Sequence, residues 1–165
     1  MKAFRSWRPA AAAVAVFGLF VSAHALTNPP IRMAEGIEYM CGGKTAAEAA
    51  FMETVSPRWA ATLHFAVSRG KPGQVPGEVQ VTVRERYTGK TIMEASTAEP
   101  YMVARLDPGT YEIEATLGGL TLEEPLVVFN GIGTKASFVW PSNVDYAAAG
   151  ASQAGEKQAL ARIGD

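Results

Sequence analysis

The residues that decide the fold class lie at positions 106–119 and read Leu-Asp-Pro-Gly-Thr-Tyr-Glu-Ile-Glu-Ala-Thr-Leu-Gly-Gly. From Tyr111 to Leu117, apolar residues alternate with polar ones. Because successive side chains of a strand point to opposite faces, this alternation predicts a strand with one buried face. A Pro-Gly turn comes before it and Gly118-Gly119 comes after it, and both residue types suit the backbone angles of tight turns. The segment therefore predicts a strand that ends in a hairpin turn.

Similar patterns occur on both sides of this strand. With it, they predict about seven short strands, the others lying near 59–67, 79–84, 91–94, 101–106, 120–129 and 134–140. Turn residues separate the strands at intervals of about 8–12 residues, as in β-sandwiches. Helices do not alternate with the strands, which argues against a parallel α/β sheet. We therefore predict a mainly β fold, a seven-stranded antiparallel or mixed β-sandwich.

One short helix is predicted before the sandwich. Thr45 and Glu48 form a capping box, in which the hydroxyl accepts a helix N–H and the carboxylate reaches back to the cap. Good helix formers then run from Ala46 to Val55, and Pro57 ends the helix.

We expect the chain to divide into four parts. These are a cleaved signal peptide at 1–25, an extended leader with a Gly-Gly turn and the helix at 26–57, the β-sandwich at 58–141, and a flexible tail at 142–165.

The first 25 residues have the features of an export signal. Three basic residues precede an apolar run at 10–21, and Ala23-His24-Ala25 supplies the small-x-small cleavage pattern. Membrane-spanning helices need about 20 apolar residues, so this run is too short for a stable anchor. We expect cleavage before Leu26 and a periplasmic or secreted protein. Cys41 lies too far downstream to make the chain a lipoprotein.

The composition excludes several classes of partner and site. The chain has 15 Lys+Arg against 16 Asp+Glu, and removal of residues 1–25 leaves 12 against 16. A mildly acidic protein lacks the basic face that nucleic-acid binding requires. One cysteine permits no internal disulfide, and with two histidines it supplies too few ligands for structural zinc. We therefore expect no nucleic-acid partner, no metal and no cofactor.

The segment from Leu106 to Ala115 resembles the leucine–x–proline–glycine–x–tyrosine signature of carboxypeptidase regulatory-like domains. Those domains are transthyretin-like, or prealbumin-like, β-sandwiches. The resemblance covers about residues 58–140 and implies the same sandwich, with Tyr111 entering the core where its strand begins. The chain also looks like small exported bacterial proteins of this type. The resemblance implies no catalytic residues, since the family has none of its own to carry over.

The catalytic patterns in the chain are weak. Glu112 and Glu114 share one strand face and could serve glycoside hydrolysis, but a half-exposed strand is normally charged on that face. After signal cleavage His64 is the single histidine, and no Gly-x-Ser-x-Gly segment presents a nucleophile. Residues 131–136 match the dinucleotide-binding Gly-x-Gly-x-x-Ala pattern, yet a predicted strand follows them where that site needs a helix. We predict that the protein is not an enzyme.

Four residues are weak candidates for binding. Cys41 is either an intermolecular thiol or a buried small hydrophobe. Trp59 and Trp140 offer aromatic contacts to a ligand, although their alternation with aliphatic residues favours the core. Pro125 lies inside a predicted strand, and because it cannot donate to a ladder it indicates an edge strand.

These observations favour an exported, non-catalytic binding or structural accessory protein that mediates protein–protein interaction. Its contact surface would be a sheet edge or the helix region, and a homo-oligomer through a sheet edge is included. The alternative is a small-ligand module, of carbohydrate-binding type, that uses exposed aromatic residues. A hydrolase using Glu112 and Glu114 is the third hypothesis.

Overall fold

The computed structural model describes residues 28–71, 74–146 and 148–150 of the chain. The described residues form nine strands and one ten-residue α-helix, and residues 146 and 148–150 are also helical. The helix is α1 (Ala46–Val55), and a 3-10 turn (Ser56–Arg58) follows it. The strands are β1 (Ile31–Ala34), β2 (Ile37–Gly42), β3 (Ala61–Val67), β4 (Val79–Glu85), β5 (Thr91–Thr97), β6 (Tyr101–Ala104), β7 (Gly109–Leu117), β8 (Leu120–Val128) and β9 (Thr134–Trp140). The mainly β prediction is confirmed.

The strands form two sheets. Sheet A has the order β1-β2-β6-β3-β9, and sheet B has the order β5-β4-β7-β8. Strands β3 and β9 are parallel, whereas the other pairs are antiparallel. A mixed sheet therefore faces an antiparallel one, and a shared apolar core lies between them.

The prediction of seven strands is wrong, because β1 and β2 were interpreted as an extended leader and a flexible turn. Glu35 and Gly36 have φ angles of 46° and 86°, which are the left-handed values of a two-residue type I′ hairpin turn. Strand β2 does not alternate in burial, since its last four residues are all buried. A strand covered on both faces lacks the period of two, so the sequence pattern did not reveal it.

The core between the sheets is built on stacked aromatic rings. Phe65, Phe138 and Trp140 have ring centroids 5.8–6.3 Å apart, within the range of favourable aromatic pairs. Trp140 has no exposed area, and its indole Nε1–H donates to the carbonyl oxygen of Leu120 at 2.9 Å. This ring therefore joins the last strand of sheet A to the first residue of β8.

The helix covers the outer face of sheet A. A second apolar cluster there consists of Met40, Met52, Trp59 and Val103, and Met52 is fully buried. The helix bounds agree with the prediction, and the Thr45 hydroxyl accepts from the Glu48 N–H. Half of the capping box differs, because the Glu48 carboxylate accepts from the N–H of Lys44 instead of that of Thr45.

The Pro-Gly segment places Tyr111 as predicted. Tyr111 is buried, and its hydroxyl donates to the carbonyl oxygen of Asp107 at 2.7 Å. Gly118 and Gly119 form the predicted hairpin turn, with φ angles of 53° and 83°. Glycine adopts these angles without the steric cost that most side chains add.

The predicted signal peptide and positions 151–165 of the predicted tail lie outside the described residues. The start of that tail is packed: Tyr146 belongs to the main core, and its hydroxyl donates to the carbonyl oxygen of Pro141 at 2.6 Å. Tyr146, which lies in the segment predicted as a flexible tail, is therefore packed against the sandwich. Within the described part of the chain, no helix has the length and apolar character needed to cross a bilayer.

Candidate functional site

Exposed strand edges offer unpaired backbone groups to other chains, so the four edge strands are candidate sites. Sheet A ends at β1 and β9, and sheet B ends at β5 and β8. Strands β8 and β9 lie against each other, and the hydrogen bond between Trp140 and Leu120 joins them. Pro125 lies on edge strand β8, opposite Glu112 of β7, and it supplies no N–H. This side of the molecule is therefore closed by packing and interrupted by proline.

The edge of β5 is partly satisfied from within the chain. The backbone N–H of Glu94 donates to the carboxylate Oε2 of Glu35 at 2.9 Å. Glu35 comes from the β1–β2 turn, so the turn side chain caps an outward-pointing group of β5. Negative charge on an edge also discourages pairing with another strand. Strand β5 is thus a poor acceptor of an added strand.

Strand β1 also contacts an edge strand of sheet B, β5, but its outward backbone groups have no strand partner among the described residues. Its two-residue turn makes Ala34 and Ile37 a hydrogen-bonded pair. Pairs alternate between hydrogen-bonded and non-hydrogen-bonded along an antiparallel ladder, so Arg32 also exchanges hydrogen bonds with β2. The N–H and C=O groups of Ile31 and Met33 consequently point away from β2, and within the described residues no other strand pairs with β1.

The side chains of this free edge are also accessible. Ile31 is 57% exposed and Met33 is 61% exposed, and both lie on the outer face of sheet A, in register with Met40 and Glu38 of β2. Arg32 lies on the opposite face and is exposed. Among the described residues it has no ion pair within 4.0 Å, whereas Arg105, directly after β6, is paired with Glu38 at 2.8 Å. We call residues 31–33 the β1 edge.

Cys41 lies near this edge but is not available as a nucleophile. It is 8% exposed and lines a cleft of about 400 Å³ together with Arg32, Thr97 and Glu99. Burial raises the pKa of the Cys41 thiol, and this effect is larger than the opposing effect of its hydrogen bond with Thr97. The structure therefore favours the buried-hydrophobe interpretation over the intermolecular thiol.

We expect the Cys41 thiol to react with Ellman's reagent much more slowly in the folded protein than in denaturant. A buried thiol with a raised pKa presents little thiolate to the reagent. Cys41→Ser in the same assay provides the background absorbance. Equal rates in the folded and denatured protein, or a disulfide-linked dimer on a non-reducing gel, would contradict this assignment.

Neither tryptophan can serve as a stacking platform. Trp140 is in the main core, and Trp59 is 7% exposed in the cluster beneath α1. Trp59 precedes β3 and packs on the outer face of sheet A, so its predicted position in phase with Ala61 and Leu63 is wrong. The guanidinium carbon of Arg105 lies 5.0 Å from the centre of the Trp59 ring, at cation–π distance. The aromatic-platform form of the ligand-binding alternative therefore has no exposed ring at these two positions.

Glu112 and Glu114 lie on the outer face of sheet B. Glu114 forms an ion pair with Arg84 at 3.3 Å, and both side chains are partly exposed. Neither glutamate lines the clefts of about 360, 400, 410 and 630 Å³ that lie among the described residues. Two carboxylates on an open sheet face have no walls to hold a sugar ring. The dinucleotide-like segment forms a turn with a Phe129–Ile132 bridge, and β9 follows it as predicted.

A polar cleft on the outer face of sheet A was not predicted from the sequence. It has a volume of about 410 Å³, and its walls are Glu53, Ser56, Thr62, His64, Tyr101, Lys135, Ala136 and Ser137. The register of sheet A places Tyr101, His64 and Ser137 in one row across three strands. The imidazole and phenol rings lie 4.8 Å apart. Periodicity along single strands does not show which strands adjoin, so the sequence did not reveal this row.

Burial lowers the pKa of His64 below its ordinary value. The unfolded chain therefore binds a proton at a higher pH than the folded chain, and stability rises with pH across this range. The contribution of neutral His64 to the stability of the fold is complete above about pH 6.5, and it is lost as the pH falls through the folded-state pKa. Glu53, Lys135 and Tyr101 share the cleft, and Glu53 and Lys135 are exposed.

We expect the melting temperature of the protein to fall between pH 7.5 and about pH 5. The His64→Gln variant, which cannot titrate at this site, should show a smaller fall. Thermal melts of both proteins at matched ionic strength measure the difference. Parallel pH profiles for the two proteins would show that His64 does not contribute to the acid sensitivity.

No protein-family model matches the chain, and no curated protein matches it in sequence.

Proposed function

We propose that this chain is an exported, non-catalytic β-sandwich of the prealbumin-like, carboxypeptidase regulatory-like type that binds a protein partner in the periplasm or outside the cell. The proposed mode is strand addition: an extended segment of the partner pairs with the β1 edge. The observation that carries the proposal is the outward orientation of the Ile31 and Met33 backbone groups. The Leu106–Tyr111 signature and the Tyr111–Asp107 hydrogen bond support the family assignment.

Strand addition fits the chemistry of this edge. Two outward residues offer two N–H donors and two C=O acceptors, and main-chain hydrogen bonds supply much of the affinity in such complexes. The exposed side chains of Ile31 and Met33 add apolar surface beside the backbone. The competing edges are capped by Glu35 or closed by the β8–β9 contact. The β1 edge therefore offers a partner strand both backbone pairing and exposed apolar side chains.

Nuclear magnetic resonance with short alternating valine–threonine peptides tests this mode. We expect the amide signals of Ile31 and Met33 to shift on titration, and signals from β8 to stay unchanged. A matched peptide, N-methylated on the two valines, cannot donate to the edge and should bind at least about tenfold more weakly. Equal binding of both peptides, or shifts centred on another edge, would contradict strand addition at β1.

A small polar ligand is the second candidate, and the cleft around His64 favours it. Tyr101, Ser137 and His64 line this cleft together with Ser56, whose hydroxyl donates to the carbonyl oxygen of Glu53. A few polar groups beside a ring can orient a small polar ligand. This site replaces the tryptophans in the carbohydrate-binding alternative. Calorimetric titration with mono- and disaccharides, compared between the wild type and Tyr101→Ala, tests it. If the binding heats were the same for both proteins, the cleft would be excluded as the saccharide-binding site.

A further inference from the structure

We propose that the partner strand carries an acidic residue, flanked by apolar residues, that lies opposite Arg32. This inference rests on the proposed strand addition and names the chemistry of the partner. In an added strand, the residues opposite Ile31 and Met33 share the outer face with two exposed apolar side chains. The residue between them lies on the opposite face, beside Arg32. The partner pattern is therefore apolar–acidic–apolar.

Arg32 supplies the charge for this selection. Three carboxylates line the same cleft. Glu99 pairs with Lys44 at 3.4 Å through Oε1 while its buried Oε2 has no partner, Glu78 accepts from the Ser96 hydroxyl at 2.6 Å, and Glu48 accepts from the Lys44 N–H at 3.1 Å. Arg32 has no ion pair among the described residues and is exposed at the edge. Opposite charges in directly facing strand positions stabilise the pair, and like charges destabilise it. A carboxylate directly opposite Arg32 in the partner would therefore be the first to lie within ion-pair distance of this guanidinium among the described residues.

The same geometry disfavours a second copy of this chain as the partner. Antiparallel pairing of two β1 edges aligns the outward groups of Ile31 with those of Met33 in the other copy. In this register Arg32 lies directly opposite its own copy, as a non-hydrogen-bonded pair with side chains about 5 Å apart. Two guanidinium groups at that separation repel each other. The edge therefore favours a different chain over self-association.

The test compares two five-residue peptides that differ only at the centre. Each has threonine at both ends and valine on both sides of the central residue, which is glutamate in one peptide and lysine in the other. Each is titrated into the exported chain, and the Ile31 and Met33 amide signals report binding. We expect the glutamate peptide to bind roughly three- to tenfold more tightly. Arg32→Glu should reverse the preference, and Arg58→Glu, an equal charge change at another exposed arginine, should preserve it.

The outcomes separate this inference from the proposed function. If the two peptides bound at β1 with equal affinity, the proposed acidic residue of the partner would be wrong, whereas strand addition would still hold. Absence of binding by either peptide would overturn both. Concentration-dependent dimerisation that broadens the Ile31 and Met33 signals would overturn the partner assignment in favour of a second copy.

Discussion

The Trp140→Ala variant should lose about 3–5 kcal/mol of its free energy of unfolding. Trp140 has no exposed area, and its removal leaves a large cavity beside Phe65 and Phe138. It also leaves the carbonyl oxygen of Leu120 without the indole donor. Because natural domains are stable by about 5–15 kcal/mol, a loss of this size removes a large share of the total. Urea denaturation monitored by circular dichroism measures it.

Two companion variants separate the contributions at this site. Val139→Ala changes the adjacent residue, which is 54% exposed, and should alter stability by no more than about 0.5 kcal/mol. Trp140→Phe keeps a buried ring but removes the N–H donor, so we expect a loss of about 1–2 kcal/mol. Equal stabilities for Trp140→Ala and Val139→Ala would show that the indole does not join the two sheets as described.

Proline at two adjacent positions of β1 should have opposite consequences. Arg32→Pro removes an N–H that is bonded to β2 and places the proline ring against that strand, so we expect a loss of about 1–3 kcal/mol. Met33→Pro removes an outward N–H, and proline is tolerated at such positions of edge strands. We expect Met33→Pro to unfold within about 0.5 kcal/mol of the wild type. It should nevertheless weaken binding of strand peptides at least tenfold, to roughly millimolar or beyond.

Denaturation and peptide titration of the two proline variants provide the measurements. Met33→Ala serves as the control, because it shortens the side chain and keeps the N–H. If Met33→Pro destabilised the fold as much as Arg32→Pro, the register of β1 would be shifted by one residue from the one described. If Met33→Pro bound the peptides normally, strand addition at this edge would be wrong.

Regular alternation made parts of this fold predictable. Strand β7 has one buried and one polar face, so its period of two appeared directly in the sequence, and its glycine turn marked the hairpin. The helix was predictable because the Thr45 cap and Pro57 are local signals. These features depend on residues that are close in the chain.

The missed features depend on contacts between distant segments. Strand β2 is buried on both faces because α1 covers the outer one, and no period remains to detect. Gly42 was interpreted as part of a flexible turn, whereas it lies in β2, where an added Cβ would come within 2.7 Å of Pro29 and 3.3 Å of Met52. The β1 edge could be recognised only from the order of strands in sheet A, because a strand is an edge when it has no neighbour on one side. Pro125 did indicate an edge strand, but the sequence could not show that β9 closes it.

Amide hydrogen exchange at β1 tests the central claim most directly. In the protein alone, the amides of Ile31 and Met33 should exchange at least about tenfold faster than those of Arg32 and Ala34, because only the latter pair is bonded to β2. Residue-resolved nuclear magnetic resonance at two protein concentrations provides the rates. Alternating fast and slow exchange, independent of concentration, is the predicted result. Equal protection of all four amides would contradict the free edge and, with it, the proposed mode of binding.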